Sequence, residues 1–300
     1  MEIRKVDLSK VSTRSVPELR DFAEVIKPKQ TMLLMVTCIV SYLIASGKII
    51  HLGRFLITCV ATTLAIAGTT ALNMWLDSDI DALMSRTKER PVPSGRLSPK
   101  GCAIYGSSLF LMGFLLGFLV NVYLATVLFL GLFFDIIIYT ILLKRRSPYS
   151  IVLGGFAGAM PALAGWVAVK GSDFLGGLIL ATIVLLWIPA HIWYITMHYE
   201  DDYRNARIPM FPLVVGMEKA SWAIVLSTVL MIFLIPSLYI VADLNPICLA
   251  LAMLITGYFL CKAIRFAKSP SRMDARTMYK LASMTLGIIY ISLLIGSLLH

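Results

Sequence analysis

Long apolar runs dominate this chain and limit the folds that it can adopt. Each of nine runs holds about 20 mostly apolar residues, the length that crosses a hydrocarbon core about 30 Å thick. Hydrophobic residues make up 58% of the 300, and the charged residues, 15% of the total, gather between the runs. The sequence therefore excludes a soluble α/β fold and predicts an all-α polytopic membrane protein. Its nine transmembrane helices are expected at 30–46, 54–76, 102–120, 123–143, 151–169, 175–198, 221–241, 246–266 and 280–299.

The basic residues are distributed very unevenly between the two sides of this predicted bundle. One side carries 24 of the 27 lysines and arginines, and the other carries Lys48, Arg54 and Lys170. Basic residues accumulate in cytoplasmic loops, so we expect a cytoplasmic N-terminus and an external C-terminus. Topology then explains the net charge of +10 without a nucleic-acid partner. The basic side comprises residues 1–29 and the polar connections 77–101, 144–150, 199–220 and 262–280. Residues 1–29 are predicted to form a cytoplasmic N-terminal tail, and 30–300 a single transmembrane domain.

An acidic segment follows the second predicted span. Asn73, Asp77 and Asp81 are spaced four residues apart, which puts them on one face of a helix about 12 Å long. Amide and carboxylate oxygens suit Mg²⁺, which is usually held by one or two carboxylates and substrate phosphates. Three cations come next and could neutralise a departing diphosphate: Arg86, Lys88 and Arg90. The segment predicts a magnesium-dependent diphosphate site, as opposed to ordinary charges at a helix end.

A second polar segment ends the sixth span. If the helix continues through residue 202, then His191, His198 and Asp202 lie within about 40° of one another. Two such stripes on the same side of the membrane could hold metal ions and one diphosphate between them. His191, within the span, is equally well explained as an interhelical hydrogen-bond partner.

The fourth span carries an acid and ends in cations. Asp135 lies near mid-span, where an ionisable side chain is a functional hypothesis by default, although a hydrogen bond to a neighbouring helix would also explain it. Tyr139 lies one turn later, and Lys144 and Arg145 follow the apolar run. These two cations suit either an anchor at the membrane interface or contact with an anionic substrate group.

These motifs together resemble a known family. The pattern Asn73-x-x-x-Asp77-x-x-x-Asp81, followed by Arg86-Thr87-x-x-Arg90-Pro91-x-x-x-Gly95, resembles the first signature of the UbiA-type intramembrane prenyltransferases. Two further segments are similar to the branch of that superfamily that farnesylates protohaem IX, namely Tyr139–Gly155 and Pro189–Pro212. Many other members carry D-x-x-x-D where this chain has His198-x-x-x-Asp202, which leaves both Asp201 and Asp202 as candidate ligands.

The resemblance implies a fold, a reaction and a location. It implies nine helices around a central cavity in the cell (plasma) membrane, with the active site towards the cytoplasm. The implied reaction is Mg²⁺-dependent transfer of a farnesyl group from farnesyl diphosphate to the vinyl group of haem B. The product is haem O for haem-copper terminal oxidases, with a haem A synthase acting downstream. A haem propionate then becomes a further anionic partner for Lys144 or Arg145, and haem iron a candidate contact for His191.

The resemblance also assigns roles to individual residues. The expected catalytic residues are Asp77, Asp81, Arg86 and Lys144. The expected substrate-binding residues are Asn73, Lys88, Arg90, Tyr139, Arg145, His191 and His198. The expected magnesium ligands are Asn73, Asp77, Asp81, Asp201 and Asp202.

Two other functions remain open at this point. A related prenyltransferase could act on an aromatic quinone precursor or on a lipid acceptor. An ion-coupled transporter would use intramembrane acids and histidines as an ion path. The transporter predicts acids deep within several spans, whereas here Asp135 is the one acid within a predicted span, and all the others except Asp173 and Asp243 gather on the predicted cytoplasmic side beside basic loops.

Overall fold

The computed structural model describes residues 17–299 and is helical throughout its regular structure. Nine of its helices are long and apolar enough to cross a membrane, which confirms the predicted number for the described part of the chain. The elements are α1 Leu19–Val25, α2 Pro28–Ser46, α3 Leu52–Leu76, α4 Ser78–Asp81, α5 Pro99–Val120, α6 Val122–Leu132, a π-helix at Phe133–Leu143, α7 Ser150–Lys170, α8 Leu175–His198, α9 Glu200–Asn205, α10 Phe211–Val215, α11 Met217–Val241, α12 Ile247–Lys268 and α13 Arg272–Leu298. Helix α6 and the π-helix together form the fourth span.

The spans pack into one bundle whose first and last members are in contact. Helix α7 packs against α2, α6 and α8, and α13 contacts α2, α8 and α12. The outer surface stays apolar: Leu119, Phe233 and Leu254 are 69%, 69% and 72% exposed. An apolar surface this extensive marks the lipid-facing side of a membrane protein.

Close approach between spans depends on small residues. A Cβ placed on Gly165 of α7 would lie 2.1 Å from the carbonyl oxygen of Cys38 on α2. This position therefore admits glycine alone, and the two backbones touch there. Such contacts are typical of transmembrane packing, which relies on van der Waals contact because lipid is as apolar as the helix surface.

Successive spans alternate in direction, so the connections fall on two sides. We call the loop side the one with connections 77–98, 144–149, 199–216 and 269–271, which is the side predicted to be basic. The prediction of a polar connection over 262–280 is wrong, because α12 runs to Lys268 and α13 already begins at Arg272. Pro270 interrupts the helix, and the Ser271 side chain caps the next one by accepting from the backbone N–H of Asp274.

The predicted tail 1–29 falls partly within the described residues, since 1–16 lie outside them. Helix α1, which the sequence analysis did not predict, occupies part of 17–29. The guanidinium of Arg96 holds it against the bundle through Asp21 and, at 2.9 Å, through Glu24. This part of the tail is therefore attached to the loop that carries the first acidic segment.

Candidate active site

The first acidic segment lies at the loop-side end of α3, where the regular helix is interrupted but hydrogen bonds four residues apart continue. Helix α3 ends at Leu76, and Asp77 is the residue between α3 and α4. The backbone N–H of Asp77 still donates to Asn73 O at 3.0 Å, and that of Asp81 donates to Asp77 O at 2.8 Å. The predicted four-residue spacing is thus kept through the break. Asp77 and Asp81 are 1% and 3% exposed.

Each of these two buried carboxylates is paired with a cation. Lys144 Nζ lies 2.5 Å from Asp77 Oδ2, and Arg90 Nη1 lies 2.6 Å from Asp81 Oδ2. Burial lowers the pKa of Lys144, but Tyr139 and the Asp77 carboxylate outweigh it, and the pKa is raised above its ordinary value. Lys144 is therefore positively charged at neutral pH.

One oxygen of Asp77 has no partner. Asp77 Oδ1 is buried and accepts no hydrogen bond in the described part of the chain. A buried carboxylate oxygen without a partner is expensive and calls for an explanation. A divalent cation or a hydrogen-bond donor from a ligand would supply what is missing.

Asn73 is held by the π-helix of the fourth span. Its Nδ2 donates to Thr140 Oγ1 at 2.8 Å, and Thr140 Oγ1 donates to the carbonyl oxygen of Asp135 at 2.7 Å. The wider π-helical turn appears also in the bond from Lys144 N–H to Tyr139 O, five residues back, at 2.7 Å. Such π-helical turns are frequent at functional sites. Here the π-helix brings Thr140 to Asn73 and Lys144 to Asp77.

Two residues of the segment Tyr139–Gly155 are in direct contact, because the Tyr139 ring packs on Gly154. A Cβ on Gly154 would lie 2.6–2.8 Å from the Tyr139 ring. The ring in turn has Lys144 Nζ over it, 5.6 Å from its centroid. Tyr139 therefore helps to hold the cation that pairs with Asp77. Arg145 is directed elsewhere and makes two bonds of 2.7 Å to the exposed carboxylate of Asp79.

The second polar segment is not one continuous helix. Helix α8 ends at His198, and α9 begins at Glu200 after a break at Tyr199, which has φ −102° and ψ 37°. The expectation of a stripe on a helix running through residue 202 is therefore wrong. The break turns Asp202 towards the first segment, where the single hydroxyl proton of Ser85 is shared between its two carboxylate oxygens, 2.8 and 2.9 Å from Ser85 Oγ.

The two segments thus meet through their loops. Arg86 contacts both the second break and helix α9: its guanidinium lies 5.4 Å from the ring centroid of Tyr199, and its Nη2 lies 3.4 Å from Tyr203 Oη on α9. Asp201 points to α13 instead, where Arg272 lies 3.3 Å away. Lys88 is exposed on the first loop. Among the described residues, no group of three or more His, Cys, Asp or Glu side chains is placed to hold a metal ion by itself.

The two histidines lie between α8 and α13. His191 Nδ1 is 3.2 Å from Ser283 Oγ, and its ring lies between Trp187 and Tyr279 at centroid distances of 4.5 and 4.7 Å. This is the interhelical hydrogen bond that the sequence allowed. His198 Nδ1 lies 3.2 Å from the carbonyl oxygen of Arg272.

Lys27 belongs to this site and was missed by the sequence analysis. It is half-buried just before the first span and lies near enough to interact electrostatically with Arg90, Asp81, Lys144 and Asp135. Burial and the Arg90 charge lower the pKa of Lys27 from 10.5 to about 8, against the opposite effect of Asp81. Lys27 adopts a left-handed backbone conformation, with φ 45°, immediately before Pro28 at the start of α2.

Comparison with known proteins gives close relatives along almost the whole chain. The profile of the UbiA prenyltransferase family matches residues 34–287. A protoheme IX farnesyltransferase of Archaeoglobus fulgidus is 60% identical over 279 residues, which cover 93% of this chain and 98% of that protein. One from Korarchaeum cryptofilum is 49% identical over 276 residues, 92% of this chain and 93% of that protein.

Solved structures show the same fold at low sequence identity. A structure described for digeranylgeranylglyceryl phosphate synthase superposes with a TM-score of 0.80 at 21% identity, covering 94% of this chain and 99% of the other. A UbiA homologue from Archaeoglobus fulgidus, bound to GPP and Mg²⁺, superposes with a TM-score of 0.67 at 11% identity, covering 91% and 99%. At these identities the likeness concerns the fold alone.

Proposed function

The chain belongs to the UbiA prenyltransferase family, and we propose that it transfers the farnesyl group of farnesyl diphosphate to the vinyl group of haem B, giving haem O. Breaking the C1–O bond of farnesyl diphosphate releases diphosphate and leaves an allylic cation, which the vinyl group attacks. A water molecule then adds to the resulting carbocation and a proton leaves, so the product carries a hydroxyethylfarnesyl side chain.

The observation that carries the donor half of this proposal is the buried, unpartnered Oδ1 of Asp77 beside three cations. Lys144 is bonded to the other oxygen of Asp77, Arg90 is bonded to Asp81, and Lys27 lies close to both pairs. Cations fixed around a developing negative charge stabilise it without reorganisation. These three side chains would therefore neutralise the diphosphate as it leaves.

The residues present fit a magnesium ion. Asn73, Asp77 and Asp81 would hold it together with substrate phosphate oxygens, since Mg²⁺ is usually bound by one or two carboxylates plus phosphates. Asp202 faces the same loop and is the better placed of the two acids in the second segment, because Asp201 is paired with Arg272. When bound, the ion supplies charge neutralisation to the leaving diphosphate.

The acceptor half rests on the relatives. Two proteins named protoheme IX farnesyltransferase match this chain at 60% and 49% identity along more than 90% of each sequence. An apolar bundle suits a lipophilic tetrapyrrole and excludes the water that would quench an allylic cation. No described feature favours an aromatic quinone precursor or a lipid glycerol over this acceptor.

The chain is a multi-pass membrane protein, and we assign the loop side, with its active site, to the cytoplasmic face of the cell membrane. The bias of 24 among 27 basic residues supports this orientation. The test uses a variant without the native cysteines, with a single cysteine placed at either Arg146 or Lys170. An impermeant maleimide should label position 170 in intact cells, and position 146 only after the cells are permeabilised. The reverse labelling pattern would contradict the orientation.

The reaction itself is tested with the purified protein, haem B, farnesyl diphosphate and Mg²⁺, with haem O detected by mass spectrometry. We expect haem O that depends on all three additions and disappears with EDTA. An otherwise active preparation that yields no haem O but prenylates 4-hydroxybenzoate would refute the acceptor and leave the family assignment in place.

A further inference from the structure

A small cavity lined by both polar and apolar groups lies between α8 and α13 on the loop side. Its volume is about 160 Å³, whereas pockets that enclose a whole ligand measure roughly 300–1,000 Å³. It can therefore take one substituent of a ligand and not a porphyrin ring. The residues lining it are Ile195, His198, Tyr199, Arg276, Tyr279 and Lys280.

Two cations in this cavity have no acidic partner. Arg276 and Lys280 are one helical turn apart on α13, and neither forms an ion pair with any described residue. Arg272, one turn earlier, differs: it binds Glu200 at 2.7 Å as well as Asp201. The helix thus presents two uncommitted positive charges to the cavity, which suits an anionic oxygen.

Residues that line the cavity contact side chains of both parts of the proposed active site. Towards the bundle interior, the Tyr279 ring contacts His191, and His191 contacts the buried ring of Trp187. Towards the first acidic segment, Tyr199 lies under the guanidinium of Arg86. A ligand with an anionic group in the cavity would therefore extend its apolar body along His191.

Building on the proposed function, we propose that this cavity binds one propionate carboxylate of the haem acceptor through Arg276 and Lys280. The sequence suggested Lys144 or Arg145 as the partner of a haem propionate, but both already form ion pairs: Lys144 with Asp77, and Arg145 with Asp79. In protohaem the propionates lie on the edge opposite the vinyl groups. Anchoring the propionate edge therefore fixes where the reacting vinyl edge lies.

Farnesyl diphosphate is the other source of anionic oxygen, and the experiment separates the two. The double variant Arg276→Gln/Lys280→Gln is compared with wild type for the KM of haem B, of haem B dimethyl ester and of farnesyl diphosphate. Esterification removes the carboxylate charges and keeps the ring. Arg265→Gln/Lys268→Gln is the matched control, since it removes two exposed cations from the loop-side end of α12.

Wild type and control should prefer haem B over its dimethyl ester by about tenfold in KM, as expected for losing one to two charge-assisted hydrogen bonds near solvent. The double variant should treat the two acceptors alike and keep the wild-type KM for farnesyl diphosphate. A double variant that keeps the wild-type preference overturns the proposal. So does one whose KM rises for farnesyl diphosphate alone, which would assign the cavity to the diphosphate.

The same proteins separate a failure of this proposal from a failure of the proposed function. Haem B and its ester are titrated against tryptophan fluorescence without the donor substrate, so binding is measured whether or not product forms. Weaker binding of haem B, but not of the ester, by the double variant supports the cavity even if no haem O is made. Equal binding of haem B by wild type and double variant contradicts it. Thermal unfolding midpoints verify that all variants are folded.

Discussion

The hydroxyl of Thr140 fixes the orientation of a candidate magnesium ligand, and Thr140→Val tests this. A hydroxyl has one proton, and Thr140 donates it to the carbonyl oxygen of Asp135, which can only accept. The atom of Asn73 that lies 2.8 Å from Thr140 Oγ1 must therefore be the donor, Nδ2. Asn73 Oδ1 is thereby left to face a ligand. Valine keeps the shape of threonine and removes both bonds.

The expected size of the effect follows from these two bonds. Thr140 is 3% exposed, and removing one partner of a buried hydrogen bond costs about 1–3 kcal/mol. The Asn73 amide could then rotate and turn its NH₂ group towards the cation. We expect kcat/KM to fall by about 5- to 140-fold, at 1.4 kcal/mol per factor of ten, and the Mg²⁺ concentration for half-maximal activity to rise.

The assay is a Mg²⁺ titration of haem O formation at saturating farnesyl diphosphate, with Thr140→Ser as the matched control. Serine keeps the hydroxyl and should restore both the rate and the Mg²⁺ dependence to near wild-type values. If Thr140→Val has wild-type Mg²⁺ dependence, or if Thr140→Ser loses as much activity as Thr140→Val, then Thr140 does not orient Asn73 and the reasoning is refuted.

Three further predictions concern the same bundle. Asp77→Asn should abolish turnover while the protein stays folded in detergent; near-normal rates would exclude the magnesium role of Asp77. Lys27 is a cation below its pKa of about 8, so kcat/KM for farnesyl diphosphate should fall as the pH rises through that value. Lys27→Arg should move this decline to higher pH. A pH profile that is the same in wild type and Lys27→Arg would contradict the role of Lys27. Gly165→Ala forces α7 away from α2 and should destabilise the protein by about 1–3 kcal/mol, which a lower thermal unfolding midpoint would show. Gly257→Ala is the control: a Cβ there meets nothing within 4 Å, so the midpoint should stay unchanged.

The sequence predicts the spans well because length and apolarity decide them. All nine predicted helices overlap the observed spans, and the error at 262–280 arose from reading charged residues as a loop. Helices α12 and α13 carry their lysines and arginines on helical turns at the loop side, with a break of three residues between them. Long basic side chains tolerate this position because they reach the interface along an apolar surface.

The sequence indicated which residues form the site, but not which of their side chains form ion pairs with one another. The spacing of Asn73, Asp77 and Asp81 survives in the backbone bonds, but nothing in the sequence indicates that Lys144 would pair with Asp77 and Arg90 with Asp81. Lys27 was missed because a lysine before the first span is explained equally well by the distribution of basic residues. The π-helix was missed as well, since an apolar run of that length has the same composition whether its turns are α or π.

The irregular backbone of the bundle has a common physical origin. The break at Asp77 and the break at Tyr199 occur at the loop-side ends of spans, and the π-helix Phe133–Leu143 occupies the loop-side half of the fourth span. In a hydrocarbon core, backbone groups released from a regular helix have no partners, so irregular backbone is tolerated only where protein or a polar cavity satisfies it. At the loop side these breaks let Asp77 and Asp202 turn away from the helix axes and bring Lys144 within reach. An allylic diphosphate has the matching division into a polar head and an apolar chain. The head would bind where the helices are broken, and the farnesyl chain would lie where they are continuous.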